Sequence, residues 1–311
     1  MNALWQGKLA AGRVVVIDGG TGSELVRRGF RLNEMAWSGL AAAAHSELLR
    51  DIHVDFIRAG AEMITANTFG TTRFVLESAG RGSEFRTINE RAVRAAFAAR
   101  EATGSDVAVE GSISCVPPGL DLGAYPDPDT EARDYREIAE LLAELGVDLL
   151  VLEMMQDDEH AIRACEAAAT VGLPLWLGLS CRLGNDGRSL VGFDYPEIPL
   201  DVTLGALLAF EPAVVTAMHT PPEAVEPALT AIGSQWDGPI GAYPVLDTDT
   251  PDGGRTPPAL SPAELAEIAA RWVDAGARVI GGCCGASPAH IRTLREVADQ
   301  LAGHRPWHAQ V

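Results

Sequence analysis

The stretch Ala277-Arg278-Val279-Ile280-Gly281-Gly282-Cys283-Cys284-Gly285 joins an apolar run to two adjacent cysteines set among glycines. The apolar part reads as a β-strand. Consecutive strand side chains point to opposite faces, so both sulfurs reach one point only where the backbone bends, and glycine permits such a bend. A thiolate pair at the end of a strand suits a soft, tetrahedral metal, zinc above all. The plainer alternative is two buried thiols, since cysteine is among the residue types most often buried.

Seven similar apolar runs precede this one: Val14–Asp18, Met63–Thr68, Val107–Ser112, Asp148–Glu153, Leu175–Ser180, Ala213–Met218 and Pro239–Tyr243. The eighth is Arg278–Gly282. Most are continuously apolar, as expected of parallel strands buried on both faces. Helical patterns lie between them, at Glu47–Ala59, Thr87–Glu101, Asp134–Leu145, Glu159–Val171, Pro222–Ile232 and Ala263–Ala275. Eight strand–helix units predict an α/β fold, a (β/α)8 TIM barrel in one domain over residues 1–311. Helix-to-strand links are short and carry Gly60, Gly146, Gly172 and Gly276, while Ser114–Asp129, Cys181–Leu200 and Val245–Ser261 are long strand-to-helix links. In a barrel the long links share the face where active sites form. A doubly wound open sheet is the competing architecture. It would more naturally carry G-x-G-x-x-G after its first strand, and Asp18-Gly19-Gly20-Thr21-Gly22 is not that motif.

The chain has 311 residues, a formal net charge of −19 and a single lysine, Lys8. So acidic a surface repels phosphate backbones and anionic lipids, which argues against nucleic-acid and membrane partners. Residues 1–13 lack the pattern of a signal peptide, and no apolar run approaches the roughly 20 residues that span a bilayer. Five cysteines in such a chain read as reduced thiols, so a cytoplasmic location is expected.

Polar residues cluster where the apolar runs stop: Asp18, then Thr65, Asn67 and Thr68, then Ser112 and Ser114, Glu153, Ser180, His219, Tyr243, and finally Cys283 and Cys284. An apolar wall with polar tips is what a barrel-mouth site requires. A catalytic zinc commonly takes three protein ligands and keeps one open position. His219, on the strand two before Cys283 and Cys284, is the expected third ligand; read alone, it is a satisfied histidine at the barrel mouth. Asp18 and Glu153 need partners if buried, and a substrate ammonium group or an arginine would serve. Helix capping is their bland role. Gly19, Gly20 and Gly22 leave backbone N–H groups that can hold a substrate carboxylate. Cys115 and Cys181 are spare thiols near the mouth, and Tyr125, in the long third loop, is able to fold over a ligand, although nothing in the sequence demands it. Cys165 reads as core and His53 as structural. His45, His160, His290, His304 and His308 read as surface residues.

These segments resemble the zinc-dependent homocysteine S-methyltransferase family, the homocysteine-binding domain family. The resemblance rests on Asp18-Gly19-Gly20-Thr21-Gly22, Ala59-Gly60-Ala61, Thr65-Ala66-Asn67-Thr68-Phe69, Gly111-Ser112 and Asp148–Glu153. Ser180-Cys181, Gly241-Ala242-Tyr243-Pro244 and Gly281-Gly282-Cys283-Cys284-Gly285 extend it over nearly the whole chain. It implies a (β/α)8 barrel whose zinc is held by three cysteines, two of which fall on Cys283 and Cys284. The third falls on His219, in Met218-His219-Thr220-Pro221. It further implies substrate contacts from Asp18, Gly19, Gly20, Thr65, Asn67 and Glu153. Two more departures are Met154, where a threonine often follows the acidic residue, and Ser114-Cys115-Val116-Pro117-Pro118, which lacks the usual Gly-Pro pair.

The expected reaction is methyl transfer to the zinc-bound thiolate of homocysteine, giving methionine, from a sulfonium donor such as S-methylmethionine or S-adenosylmethionine. Zn2+ is the expected cofactor, and a small-molecule thiol acceptor and methyl donor are the expected partners. Replacing one thiolate by imidazole removes one negative charge from the site. That holds the substrate thiolate more firmly and makes it a weaker nucleophile. The change also fits another small thiol or selenol acceptor, a donor carried on a corrinoid protein, or a homologue that binds zinc or an amino acid without turnover. A zinc hydrolase is the rival from another enzyme class, and the vicinal cysteines weigh against it.

Overall fold

A computed structural model describes residues 4–246 and 260–301. Eight parallel strands run around a barrel: β1 Val15–Val16, β2 Met63–Ala66, β3 Ala108–Ser114, β4 Leu149–Met155, β5 Leu175–Leu179, β6 Val214–Met218, β7 Ile240–Tyr243 and β8 Ala277–Ile280. Their order is β1-β8-β7-β6-β5-β4-β3-β2. A parallel bridge between Ile17 and Met63 closes β1 onto β2. The fold is therefore the (β/α)8 barrel, not an open doubly wound sheet. Each of the eight apolar runs contributes one strand.

The alternation of side chains explains why the runs are apolar throughout. Val16, Ile64, Val109, Leu150, Leu152, Leu177 and Val215 point outward and pack beneath the helices. Val15, Met63, Ala108, Leu149, Val151, Trp176, Val214 and Val279 point inward and fill the barrel. Both sets leave water, so neither face of a strand can be polar at low cost.

The helices follow the apolar periodicity. The helix Ser46–Ala59 buries Leu49, Ile52, Phe56 and Ile57 and ends at Gly60, whose φ of 107° is left-handed. Pro262–Asp274 starts with a capping box between Ser261 and Glu264. Two more helices, Leu200–Leu207 and Pro288–Gln300, complete the outer ring, and the sequence reading had not marked them. The Cys181–Leu200 link also holds a small antiparallel hairpin, Cys181–Leu183 with Leu190–Gly192. The link Val245–Ser261 lies largely outside the described residues, as do His304 and His308.

At the opposite end from the long links, the N-terminal helix Leu4–Ala10 brings Trp5 against the inward-facing Trp176, edge to face at 5.1 Å between ring centroids. Trp5 is 4% exposed, so the indole closes the barrel floor. Trp5→Ala should lower stability by about 3 kcal/mol, in the range for a buried aromatic truncated to alanine, read as a shift in urea midpoint.

Candidate active site

Three strand ends build the cluster of sulfur and imidazole. Beyond β8, Cys283, Cys284, Gly285 and Ala286 form a turn in which the Ala286 N–H bonds the Cys283 carbonyl at 3.1 Å. Gly285 has φ of 84°, the left-handed conformation that a type II turn asks of its third residue. The turn supplies the bend expected from the glycines and brings the two Sγ atoms to 4.0 Å. Beyond β6, His219 is itself left-handed, with φ of 51°. That is uncommon for a residue with a Cβ and marks stored strain. Its N–H bonds the Tyr243 carbonyl at 3.0 Å, and its Nδ1 lies 3.3 Å from Cys283 Sγ. Phe193, carried in by the hairpin, meets the imidazole ring at 4.8 Å between centroids.

The ligand atoms of His219, Cys283 and Cys284 all lie within 4.8 Å of one another. A tetrahedral zinc with Zn–S near 2.3 Å and Zn–N near 2.0–2.1 Å sets its ligand atoms about 3.6–3.8 Å apart. The spacing here fits that demand. The chemistry of the donors fits it too. Hydrogen bonding to Cys284, burial and the nearby Glu153 push the Cys283 thiol well above its ordinary pKa. Two adjacent thiols of this kind ionise together only beside a cation. At His219 burial opposes protonation, but Cys284, Asp194 and Glu153 outweigh it and raise its pKa. The surroundings are thus strongly anionic.

Cys283, Cys284 and His219 line a cavity of about 180 Å³ together with Asp18, Gly19, Gly20, Thr65, Asn67 and Glu153. Asp18 accepts the Thr65 N–H at 2.9 Å and the Thr65 hydroxyl at 3.1 Å. Burial still dominates and lifts its pKa to about 7. Glu153 accepts the Ser112 hydroxyl. Burial raises it to about 7 as well, against the pull of that bond. Neither carboxylate caps a helix.

Other expected contacts are engaged within the protein. The Gly20 N–H bonds Ala286 O at 3.1 Å, so it is not bare. Gly19 and Gly20 instead permit close approach: a Cβ on them would come within 2.7 Å of the Ala286 and Cys283 carbonyl oxygens. The Asn67 amide bonds Ser38 at both ends, at 2.9 and 3.0 Å, and pins the first loop to β2.

Cys115 and Cys181 are fully buried away from the cavity, against Met155 and Thr220 respectively, and do not join the cluster. Tyr125 does not fold over the site. Its hydroxyl bonds Cys115 O at 2.8 Å, and its ring stacks on His160 at 3.5 Å. His160 is therefore no plain surface residue; it is half-buried and bonds the buried Glu131. His290 is buried too, as part of the cap at Ser287. Sequence reasoning missed Glu110, which lines the same cavity. Its signal was a lone carboxylate at an inward position of the run Val107–Ser112.

The sequence model of the homocysteine S-methyltransferase family matches residues 15–298. The chain belongs to the homocysteine S-methyltransferase family of enzymes. It is 28% identical to rat betaine–homocysteine S-methyltransferase 1 over 96% of this chain and 74% of the relative. It is 27% identical to maize homocysteine S-methyltransferase 3 over 94% and 92% of the two chains. Among solved structures, the metallated form of the homocysteine methyltransferase MmuM from Escherichia coli shares the fold. Its TM-score is 0.76 at 23% identity, covering 94% of this chain and 98% of that one. Among the described residues no helix is long and apolar enough to cross a membrane.

The raised pKa of Asp18 has a definite sign in stability. Unfolded, the group ionises near its usual value of about 4; folded, it keeps its proton to about 7. Its contribution is full below pH 4, declines as pH rises towards 7, and is then flat. Asp18→Asn should therefore gain stability relative to the native chain between pH 4.5 and pH 7.5, measured as the difference in urea midpoints.

Proposed function

We propose that this enzyme moves a methyl group from a sulfonium donor, S-methylmethionine or S-adenosylmethionine, to the thiol of homocysteine. The observation that carries this reading is the placement of two thiols and an imidazole within 4.8 Å, in one cavity with Asp18 and Glu153. His219, Cys283 and Cys284 would hold the zinc, His219 standing where the family commonly has cysteine. Bound zinc would keep the substrate sulfur ionised near neutral pH, where a thiol of pKa about 8.5 is mostly protonated.

In this reading Asp18 and Glu153 bind the substrate ammonium. Both lie at the balance point between acid and carboxylate, so an arriving cation ionises them and is held in a place of low dielectric. Thr65 orients Asp18, and Ser112 orients Glu153. The Gly20 N–H is engaged by Ala286 O, so the backbone N–H of Gly19 takes the carboxylate end. Phe193 fixes the His219 ring, and the apolar wall excludes water. The methyl–sulfur bond of the donor breaks, the donor leaves as a neutral thioether, and a new carbon–sulfur bond forms. The thiol proton is released. Because the leaving group is neutral, no general acid is needed, and the protein's part is positioning.

Zinc with three protein thiolates and a substrate thiolate would carry a charge of −2, and with His219 in place of one thiolate it would carry −1. That favours capture of the acceptor over its reactivity, so other small thiols and a selenol belong in any survey of acceptors.

Two outcomes are expected. Purified protein should hold about one zinc per chain by elemental analysis, and Cys283→Ser should retain less than about a tenth of it, as a site losing one of three ligands does. Retention of metal by that variant would move the site elsewhere. Mass spectrometry of zinc-loaded protein with homocysteine should show methionine formed from one of the two sulfonium donors and not from a donor-free control. No methylated product across a panel of thiols, a selenol and donors would refute the reaction.

A further inference from the structure

Glu110 sits on β3, paired in register with Thr65 of β2. It is 1% exposed and lines the cavity that holds Asp18 and Glu153. One of its oxygens, Oε2, is 3.3 Å from the Thr65 hydroxyl; the other, Oε1, has no hydrogen-bond partner. Trp176, on the same cavity wall, also has its indole Nε1 unpartnered. A buried polar atom without a partner costs on the order of 1–3 kcal/mol, and an apolar side chain at position 110 would avoid it.

Thr65 sharpens the point. Its hydroxyl carries one proton but faces two carboxyl groups, Asp18 Oδ1 at 3.1 Å and Glu110 Oε2 at 3.3 Å. It can donate to only one of them. The second must either carry its own proton or be offset by a cation. Among the described residues that line the cavity there is no arginine or lysine. Burial first, then Asp18 and Glu153, drive the Glu110 acid well above its usual range. Three carboxyl groups therefore share one small cavity with no arginine or lysine in its described lining, and its one histidine, His219, lies against the sulfur of Cys283. An alkylammonium group brings one charge and three N–H donors.

We propose that Glu110 is a third anchor for the ammonium group of the acceptor, alongside Asp18 and Glu153, and that it selects thiols bearing a free amine. This rests on the acceptor being an amino acid, as proposed above. A site with three acceptors loses three hydrogen bonds to an acceptor without the amine, and leaves buried acids facing an apolar group.

The test uses zinc-loaded protein and equilibrium titration calorimetry, so it does not depend on turnover. The probes are L-methionine, which carries the amino-acid end, and 4-(methylthio)butanoate, which lacks only the ammonium. Native protein should favour methionine by at least about tenfold, as a hydrogen-bonding site does over a ligand lacking the group it reads. Glu110→Gln keeps the shape and removes the charge. It should weaken methionine by about tenfold and leave the desamino probe within about twofold. Unchanged methionine affinity, or equal weakening of both probes, would overturn the proposal and leave the methyl-transfer reading standing. If native protein binds no methionine, the acceptor reading falls and this proposal with it. Should Glu110→Gln fail to fold, Glu110→Asp serves instead. It shortens the arm and keeps the charge, and should weaken methionine by at least about threefold with the desamino probe unchanged; any other pattern counts against Glu110 as an anchor.

Discussion

The contact between the first loop and the last is the constraint on which the rest of this site depends. Gly19 and Gly20 lie so close to the Cys283–Ala286 turn that no Cβ fits between them. Four polar bonds lock the two loops. The Gly20 N–H bonds Ala286 O, the Gly282 N–H bonds Asp18 O, the Gly285 N–H bonds Ser23 Oγ, and Arg27 bonds Gly285 O. These bonds tie Asp18 to the turn that carries the two cysteines. The barrel's closure, β1 on β8, is also what sets the proposed substrate-binding acid against the proposed metal ligands.

The cavity has a simple electrostatic character. Four carboxyl side chains, Asp18, Glu110, Glu153 and Asp194, and two thiols line it, and the described lining offers only His219 as a side chain that can carry positive charge. Burial disfavours Asp18, Glu110, Glu153 and Cys283 as anions. The cavity therefore rewards a cation, be it the proposed metal at the sulfurs or the proposed ammonium at the carboxylates. The cost falls on the fold, which carries acidic groups where an ordinary barrel interior carries valine and isoleucine. The left-handed backbone of both Met154 and His219, at strand ends bounding the same cavity, is a second cost of this kind.

The features that sequence reading placed wrongly are those that depend on a partner remote in the chain. Tyr125 sits in a long loop near the mouth, but His160 and the carbonyl of Cys115 hold it away from the cavity. His160 and His290 read as surface residues; bonds to Glu131 and to the Ser287 cap hold them against the protein instead. Cys115 and Cys181 follow strands three and five, yet both turn into the outer core. The hairpin that delivers Phe193 was hidden in a loop too rich in glycine, aspartate and arginine to read as strands. Glu110 was visible as a carboxylate in an apolar run, but its register beside Thr65 and Asp18 was not.

The order of apolar runs and helical patterns, each about as long as one strand or one helix, was enough to specify the barrel. Such periodicity reports local burial on both faces of a strand, and burial of that kind allows few architectures. Sequence also named the cysteines, the histidine two strands away, Asp18 and Glu153, because residue type and position after a strand are local properties. Only the folded chain decided which of the polar tips share a cavity and which are engaged by a neighbour. Distances and hydrogen bonds join residues as far apart as Asp18 and Gly282, and no pattern along the chain encodes the register in which eight strands close.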